Sequence, residues 1–275
     1  MSNKYSIVTS KTLAAAVILG SAALSQAAVI NIDFGRNATN NLEQTGLAGA
    51  PDAEGSTALW NTTIGASPTV ANALDSSGAA TPVTLTIDAR GSFNTATGNQ
   101  ELLSGQGNLF NDYLSSRADN NLNDLRTGSY SGLIAGNTYD LYFYGQGDNF
   151  TDTNNNGGQN VGIRIGTDVR HTSYDGTPGG DGLLVEDIEF VVFRDIEADA
   201  TGTISFEHFN PGVGLHATDA SFFDSSTGLA DVDGNNSRFH ALNGVQIVGT
   251  FVPEPSSVAL LGLGFVGFAL RRRRH

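Results

Sequence analysis

The sequence predicts an all-β body, an antiparallel β-sandwich or jelly roll with one short helix and long loops, set between two apolar ends that read as cleavable helices. Three observations lead there. Short runs of β-branched and aromatic residues recur, separated by clusters of Gly, Asn, Asp and Ser. No helical pattern recurs between those runs, so a parallel α/β sheet is disfavoured. No repeat of roughly 20–50 residues is visible, which argues against a solenoid or propeller.

The N-terminal end comes first. Lys4 and Lys11 precede an apolar run from Leu13 to Leu24, followed by Ser25-Gln26-Ala27. A basic region, a short apolar region and small residues at the cut describe a secretory signal peptide. Residues 1–27 are assigned to it, with cleavage after Ala27 and Ala28 as the alternative. The body, residues 28–252, then carries strands read at Val29–Phe34, Val83–Asp88, Tyr139–Gly145, Val161–Ile165, Leu184–Phe193, Gly202–Phe206 and Gly244–Phe251. One helix is expected at Asn108–Ser116, where Leu109, Phe110, Tyr113 and Leu114 fall at helical spacing. The stretches 37–61 and 93–106 show little periodicity and read as long loops.

One local sequence bears on the fold. Gly132-Leu133-Ile134-Ala135-Gly136-Asn137-Thr138-Tyr139 places a Leu, a Gly turn and a Tyr that opens a strand. It resembles the tyrosine corner of fibronectin-III-like sandwiches, with Ala135 where that pattern often has Pro. The resemblance implies that the Tyr139 hydroxyl bonds back to the turn backbone and fixes the corner.

At the C-terminus, Val252-Pro253-Glu254-Pro255 is followed by an uncharged apolar run from Val258 to Leu270, then Arg271 to Arg274. That run is short for a bilayer span, which takes roughly 17–25 residues, and only when counted from Pro253 is the segment just long enough. The arginines would stay cytoplasmic, leaving the body outside. These features resemble the PEP-CTERM sorting signal of proteins exported by Gram-negative bacteria that make exopolysaccharide. The same tail is also called an ice-binding-protein C-terminal motif, a name that carries no ice-binding function. The resemblance covers residues 252–275 and implies a sorting signal at 253–275, transient anchoring in the inner membrane, and recognition and cleavage at Pro253, Glu254 and Pro255 by an exosortase. Release to the cell surface or extracellular matrix follows, with exopolysaccharide as a candidate partner.

Charge narrows the function further. The whole chain has 275 residues, 14 basic against 28 acidic, and no cysteine. Disulfide scaffolds, Cys-ligated zinc and thiol nucleophiles are therefore excluded. Lys4, Lys11 and Arg271 to Arg274 lie in the two terminal signals, as does Glu254, so the body keeps 8 arginines, no lysine and 27 acidic residues, a net charge of −19. Such a surface disfavours nucleic acid, whose phosphates need a basic face, and it favours divalent counterions.

Candidate sites follow from residue types and spacing. Asp152, Asn154 and Asn156, closed by Gly157, match the opening of a calcium loop, and Asp148 is placed to add a ligand. Position twelve is Ile163 in place of the bidentate Glu, so this is no EF-hand, and a plain Asn/Gly-rich surface loop is the alternative. Asp231-Val232-Asp233-Gly234-Asn235 is a weaker match. In the strand Tyr139–Gly145, alternation puts Tyr139, Leu141 and Phe143 on one face and Asp140, Tyr142 and Tyr144 on the other. An Asp beside two tyrosines suits a sugar platform, and Trp60 is placed to add a stacking surface. The competing reading has the 108–116 segment covering Tyr142 and Tyr144, and Trp60 plugging a loop. For catalysis there is neither a G-x-S-x-G elbow nor an H-E-x-x-H motif. The acids Glu186, Asp187, Glu189 and Glu207 are too common in this chain to single out a pair, and His171, His208, His216 and His240 show no ligand spacing and read as scattered surface or turn residues.

The sequence thus predicts a non-catalytic protein of the cell surface or extracellular matrix, structural or glycan-associating. A polysaccharide-acting enzyme, a glycoside hydrolase or lyase, is the alternative. The paired terminal signals also predict processing. The intact mass of the exported protein should lack the first 27 or 28 residues and everything after Pro253–Pro255. An exported form retaining Arg271 to Arg274 would contradict sorting by this tail.

Overall fold

A computed structural model describes residues 27–36, 59–94, 109–116, 118–119, 122–123, 125–147, 160–173, 183–211 and 240–251. Two sheets dominate. The five-stranded sheet has the order β13 (Phe190–Glu197), β10 (Thr138–Tyr144), β15 (Gly244–Thr250), β1 (Ala27–Gly35) and β2 (Trp60–Ile64). The six-stranded sheet has the order β12 (Asp168–His171), β11 (Gly162–Ile165), β14 (Ile204–Phe209), β9 (Arg126–Ser131), β4 (Thr84–Ile87) and β3 (Thr69–Val70). Short hairpin ladders join β5 (Gly91–Asn94) to β6 (Asp112–Ser115) and β7 (Ala118–Asp119) to β8 (Leu122–Asn123). Neighbours are antiparallel except β1 and β2, which run parallel from Asn31↔Trp60 to Gly35↔Ile64.

The core lies between the sheets. Ile30, Ile32, Phe34, Leu141, Phe143, Phe193, Val245 and Ile247 face it from the first sheet, and Leu85, Ile87, Tyr130, Ile163, Ile204 and Phe206 from the second. Each set follows the two-residue period of its strand. Phe143 and Phe206 meet across the layers with centroids 4.9 Å apart and planes at 64°. That ring needs room on its own sheet. A Cβ at Gly128 would lie 2.1 Å from the Phe206 ring, so the position opposite Phe206 on β9 admits only glycine.

The corner forms as its sequence implies. Ile134 N–H donates to the Tyr139 hydroxyl at 2.9 Å, and that hydroxyl donates to the Thr250 carbonyl at 3.1 Å. Gly136 supplies the turn with φ at 77°, a conformation in the left-handed region. Phe251 stacks on the Tyr139 ring at 5.6 Å. One side chain therefore ties the turn before β10 to the last residues of β15.

All seven expected strands are present, with shifted ends. The largest shift is in Leu184–Phe193. Residues 187–189 form a turn with Asp187 at φ 68°, and the strand begins at Phe190. The expected helix at Asn108–Ser116 is corrected. Residues 109–110 make a turn and Asp112–Ser115 is strand β6. Leu109 and Phe110 enter one apolar cluster while Leu114 enters the main core, bonded in both directions to the Leu242 backbone at 2.8 and 2.9 Å. An apolar run this short fits either period, and here burial on two sides selects the strand.

Removing the Tyr139 hydroxyl breaks two part-buried hydrogen bonds, from Ile134 N–H and to the Thr250 carbonyl. Tyr139→Phe should lower stability by about 1–3 kcal/mol, read as a shift in the urea midpoint at unchanged slope. An unchanged midpoint would show that the corner does not hold the β15 end.

Candidate functional site

The outer face of the five-stranded sheet carries the aromatic residues expected to make a sugar platform. Tyr142 and Tyr144 do point away from the core, opposite Tyr139, Leu141 and Phe143. They are nevertheless fully buried, and Trp60 is 7% exposed. With Leu109, Phe110, Phe190 and Val192 they form a second apolar cluster. Phe110 meets the Tyr144 ring edge-on at 6.3 Å. The open platform is thus corrected: no ring face of Tyr142 or Tyr144 is presented to solvent. The covering segment is the one expected, although it covers as a turn and strand in place of a helix.

A polar ladder crosses the same buried face. The Tyr144 hydroxyl donates to Gln246 Oε1, Gln246 Nε2 donates to Asn31 Oδ1 at 2.6 Å, and Asn31 Nδ2 donates to the Leu59 carbonyl at 3.0 Å. Asn243 clips the edge, donating to the Asp112 carbonyl at 2.9 Å and accepting from Gln146 N–H at 2.7 Å. Asp140 does structural work as well. Its Oδ1 accepts from Asp195 N–H at 2.8 Å, at the bulge where the β10–β13 register shifts. The calcium-loop residues Asp148, Asp152, Asn154 and Asn156, the weaker loop at 231–235, and Pro253, Glu254 and Pro255 lie outside the described residues. Among the described residues, no group of three or more His, Asp or Glu side chains is placed to hold a metal ion.

Among the described residues, an open surface lies on the other sheet. Strand alternation turns Leu85, Ile87, Tyr130, Ile204 and Phe206 inward, and it turns Thr86, Thr127, Ser129, Ser205 and Glu207 outward. Register brings the outward rows side by side: Thr86 opposite Ser129, Ser129 opposite Ser205, and Thr127 opposite Glu207. With Asp88, Arg164 and Gly166 they line a cleft of ≈ 480 Å³. That volume lies within the roughly 300–1,000 Å³ range of small-ligand sites. Its charges are paired. Arg164, opposite Glu207 on β11, reaches the Glu207 carboxylate through both Nε and a terminal nitrogen. Arg126 donates to Asp88 Oδ2 at 2.8 Å, and the Ser67 hydroxyl donates to Asp88 Oδ1 at 2.8 Å. The Arg126 bond, helped by Ser67, holds the Asp88 carboxyl below the usual carboxylate range.

Sequence reasoning missed this cleft. The signal was present in the period-two hydroxyls of Thr84-Leu85-Thr86-Ile87 and Thr127-Gly128-Ser129-Tyr130-Ser131. What was missing was the register that sets those rows side by side.

Two histidines read as scattered are in fact paired beneath the Asp88 end of the cleft. His208 and His240 are both fully buried. Ser116 N–H donates to His240 Nδ1 at 3.2 Å, so the proton of the neutral ring sits on Nε2. That Nε2 lies 2.7 Å from His208 Nδ1, and His208 Nε2 lies 2.7 Å from the Asp88 carbonyl. The backbone at both ends thus assigns a single direction to the chain: Ser116 to His240, His240 to His208, His208 to Asp88. Burial, then the neighbouring His208 and Arg126, hold the His240 pKa well below its ordinary value. Asp112 is the opposite case. Burial pushes its carboxyl up to about 7, although Arg36 N–H donates to Oδ2 at 3.2 Å.

Known proteins add one assignment. Residues 251–274 match the family model of the PEP-CTERM protein-sorting motif. This chain carries a PEP-CTERM sorting signal. Such a signal marks an exported protein, sorted at the membrane, and is the signal that an exosortase reads. The PEP-CTERM segment begins at Phe251, the residue stacked on Tyr139, so the sorted tail leaves the body directly after the corner-anchored end of β15. No curated protein matches the sequence. Among solved structures, the ANXUR1 extracellular domain from Arabidopsis thaliana is 11% identical, with a TM-score of 0.35, over 68% of this chain and 54% of that one. The plant receptor-like kinase ANX2 is 12% identical, with a TM-score of 0.34 and the same coverage. The chain spans about half the length of these structures.

The two buried titratable sites give opposite pH dependences. His240 has a lowered folded pKa, so its share of stability is complete above its ordinary value of 6.5 and is lost as pH falls below it. Asp112 has a raised folded pKa, so its share is complete below 3.8 and is lost as pH rises through about 7. Asp112→Asn keeps an acceptor for Arg36 N–H. It should match the wild type near pH 4 and exceed it at pH 8 by about 1–3 kcal/mol, the cost of a buried unsatisfied polar group. Denaturant midpoints at the two pH values measure the difference, and an equal offset at both would contradict it.

Proposed function

We propose that this exported protein is non-catalytic and associates with glycan at the cell surface or in the extracellular matrix, through the cleft on the outer face of the six-stranded sheet. The observation that carries the reading is the cleft itself, where three adjacent strands contribute Thr86, Thr127, Ser129 and Ser205 beside Asp88 and Glu207. Hydroxyls that both donate and accept, flanked by planar carboxylates and a guanidinium, match the repeated hydroxyl groups of a sugar chain. A PEP-CTERM tail supports the location, since it marks the body for export. The carboxylates favour binding over hydrolysis. A glycosidase needs one carboxyl kept protonated as its acid. Asp88 is held in the ionised form by Arg126.

The test is co-sedimentation of the exported protein with polysaccharide from its producing culture. Ser129→Val combined with Ser205→Val removes the central hydroxyls with residues that suit an exposed strand. Retention should fall by about tenfold, on the scale of two lost hydrogen bonds, with the urea midpoint nearly unchanged. New reducing or unsaturated sugar ends, abolished by Asp88→Asn, would instead establish the glycoside hydrolase or lyase reading.

A further inference from the structure

Resting on that reading, we propose that the cleft takes an uncharged glycan, recognised through its hydroxyl groups, and discriminates against polymers bearing carboxylate, sulfate or phosphate. The argument is one of charge balance. Binding an anion takes a cation whose donors point at the ligand. Arg164, the cation that lines the cleft, directs both Nε and a terminal nitrogen at Glu207. Arg126, bonded to the lining residue Asp88, directs a terminal nitrogen at that carboxylate. An incoming carboxylate would have to share an arginine already matched to Glu207 or Asp88, and it would sit beside that acid. The field of the whole body acts in the same sense, since residues 28–252 carry 27 acidic residues against 8 arginines.

A neutral polyol meets none of this opposition. Paired Asp–Arg and Glu–Arg groups still offer edges that accept from or donate to hydroxyls. The Thr86, Thr127 and Ser205 side chains are exposed and Ser129 is half-buried, so a chain lying across β4, β9 and β14 meets hydroxyls from every strand. The aromatic residue among the lining, Phe206, is buried with its ring packed on Tyr130 and Phe143. Among the described residues no other ring lines the cleft, and recognition by them runs through hydrogen bonds.

The exported protein, passed over immobilised polysaccharides, separates the outcomes. Neutral probes are dextran, galactan and xyloglucan, and acidic probes are alginate, polygalacturonate and heparin. We expect retention on at least one neutral polymer, little change between low and high salt, and no retention on the acidic set at physiological ionic strength, where surface charges are screened beyond roughly 8 Å. Glu207→Gln is the decisive variant. It preserves shape, leaves the Arg164 guanidinium unmatched, and should raise retention on polygalacturonate by about tenfold, on the scale of one charge-assisted hydrogen bond. Circular dichroism and the urea midpoint check that the variant folds, and if it does not, the wild-type comparison of the two polymer sets decides alone. Salt-sensitive retention of the wild type on the acidic set in preference to the neutral set, lost in the Ser129→Val, Ser205→Val variant, would overturn this inference and leave the glycan reading standing. Retention on neither set, nor on the producer's own polysaccharide, would overturn both.

Discussion

Burial of β10 on both of its faces is the constraint from which the rest of the architecture follows. Tyr139, Leu141 and Phe143 fill the space between the sheets, while Tyr142 and Tyr144 fill the cluster beyond. A sheet covered on one side can keep its other side wet, as most antiparallel sheets do. Here the five-stranded sheet is instead a middle layer. Its outward polar groups are consequently not a surface but an interior, and they must satisfy one another. The ladder from Tyr144 through Gln246 and Asn31 to Leu59 does so. An unsatisfied group there would cost about as much as several of those bonds gain.

That constraint decides where function can sit. With the aromatic face covered, the open sheet face is that of β4, β9, β14 and β11, and its outward residues are small hydroxyls and matched ion pairs. The two layers communicate beneath it. The hydrogen-bonded chain from Ser116 through His240 and His208 ends on the Asp88 carbonyl, at the rim of the cleft. Ser116 follows β6, His240 precedes β15 of the first sheet, and His208 belongs to β14 of the second. Directed hydrogen bonds in a dry interior fix the position of one layer on the other more sharply than apolar contact alone.

The ends of the body obey a related economy. Ala27 pairs with Thr250, so β1 begins and β15 ends at the same end of the same sheet. The Tyr139 corner closes on that end, through the Thr250 carbonyl and the Phe251 ring. The sorting motif starts at Phe251. The end of β15 is thus pinned immediately before the segment that carries the export address.

What the sequence determined by itself was local. Seven strands could be read from two-residue alternation, and the corner from a Gly turn ahead of Tyr139, because each signal fits within a few consecutive residues. The sorting tail was legible for the same reason, as Pro-Glu-Pro, an apolar run and four arginines. Alternation also assigned Tyr142 and Tyr144 to the face opposite Leu141 correctly. Only tertiary structure decided whether that face was wet, since the answer lay with Leu109 and Phe110, on a segment more than twenty residues earlier. The same holds for the cleft and for the histidine pair. Thr86, Ser129 and Ser205 become neighbours through register, and His208 meets His240 across 32 residues of chain. Periodicity tells which way a side chain points, whereas what it points at depends on pairings between distant strands that no local pattern encodes.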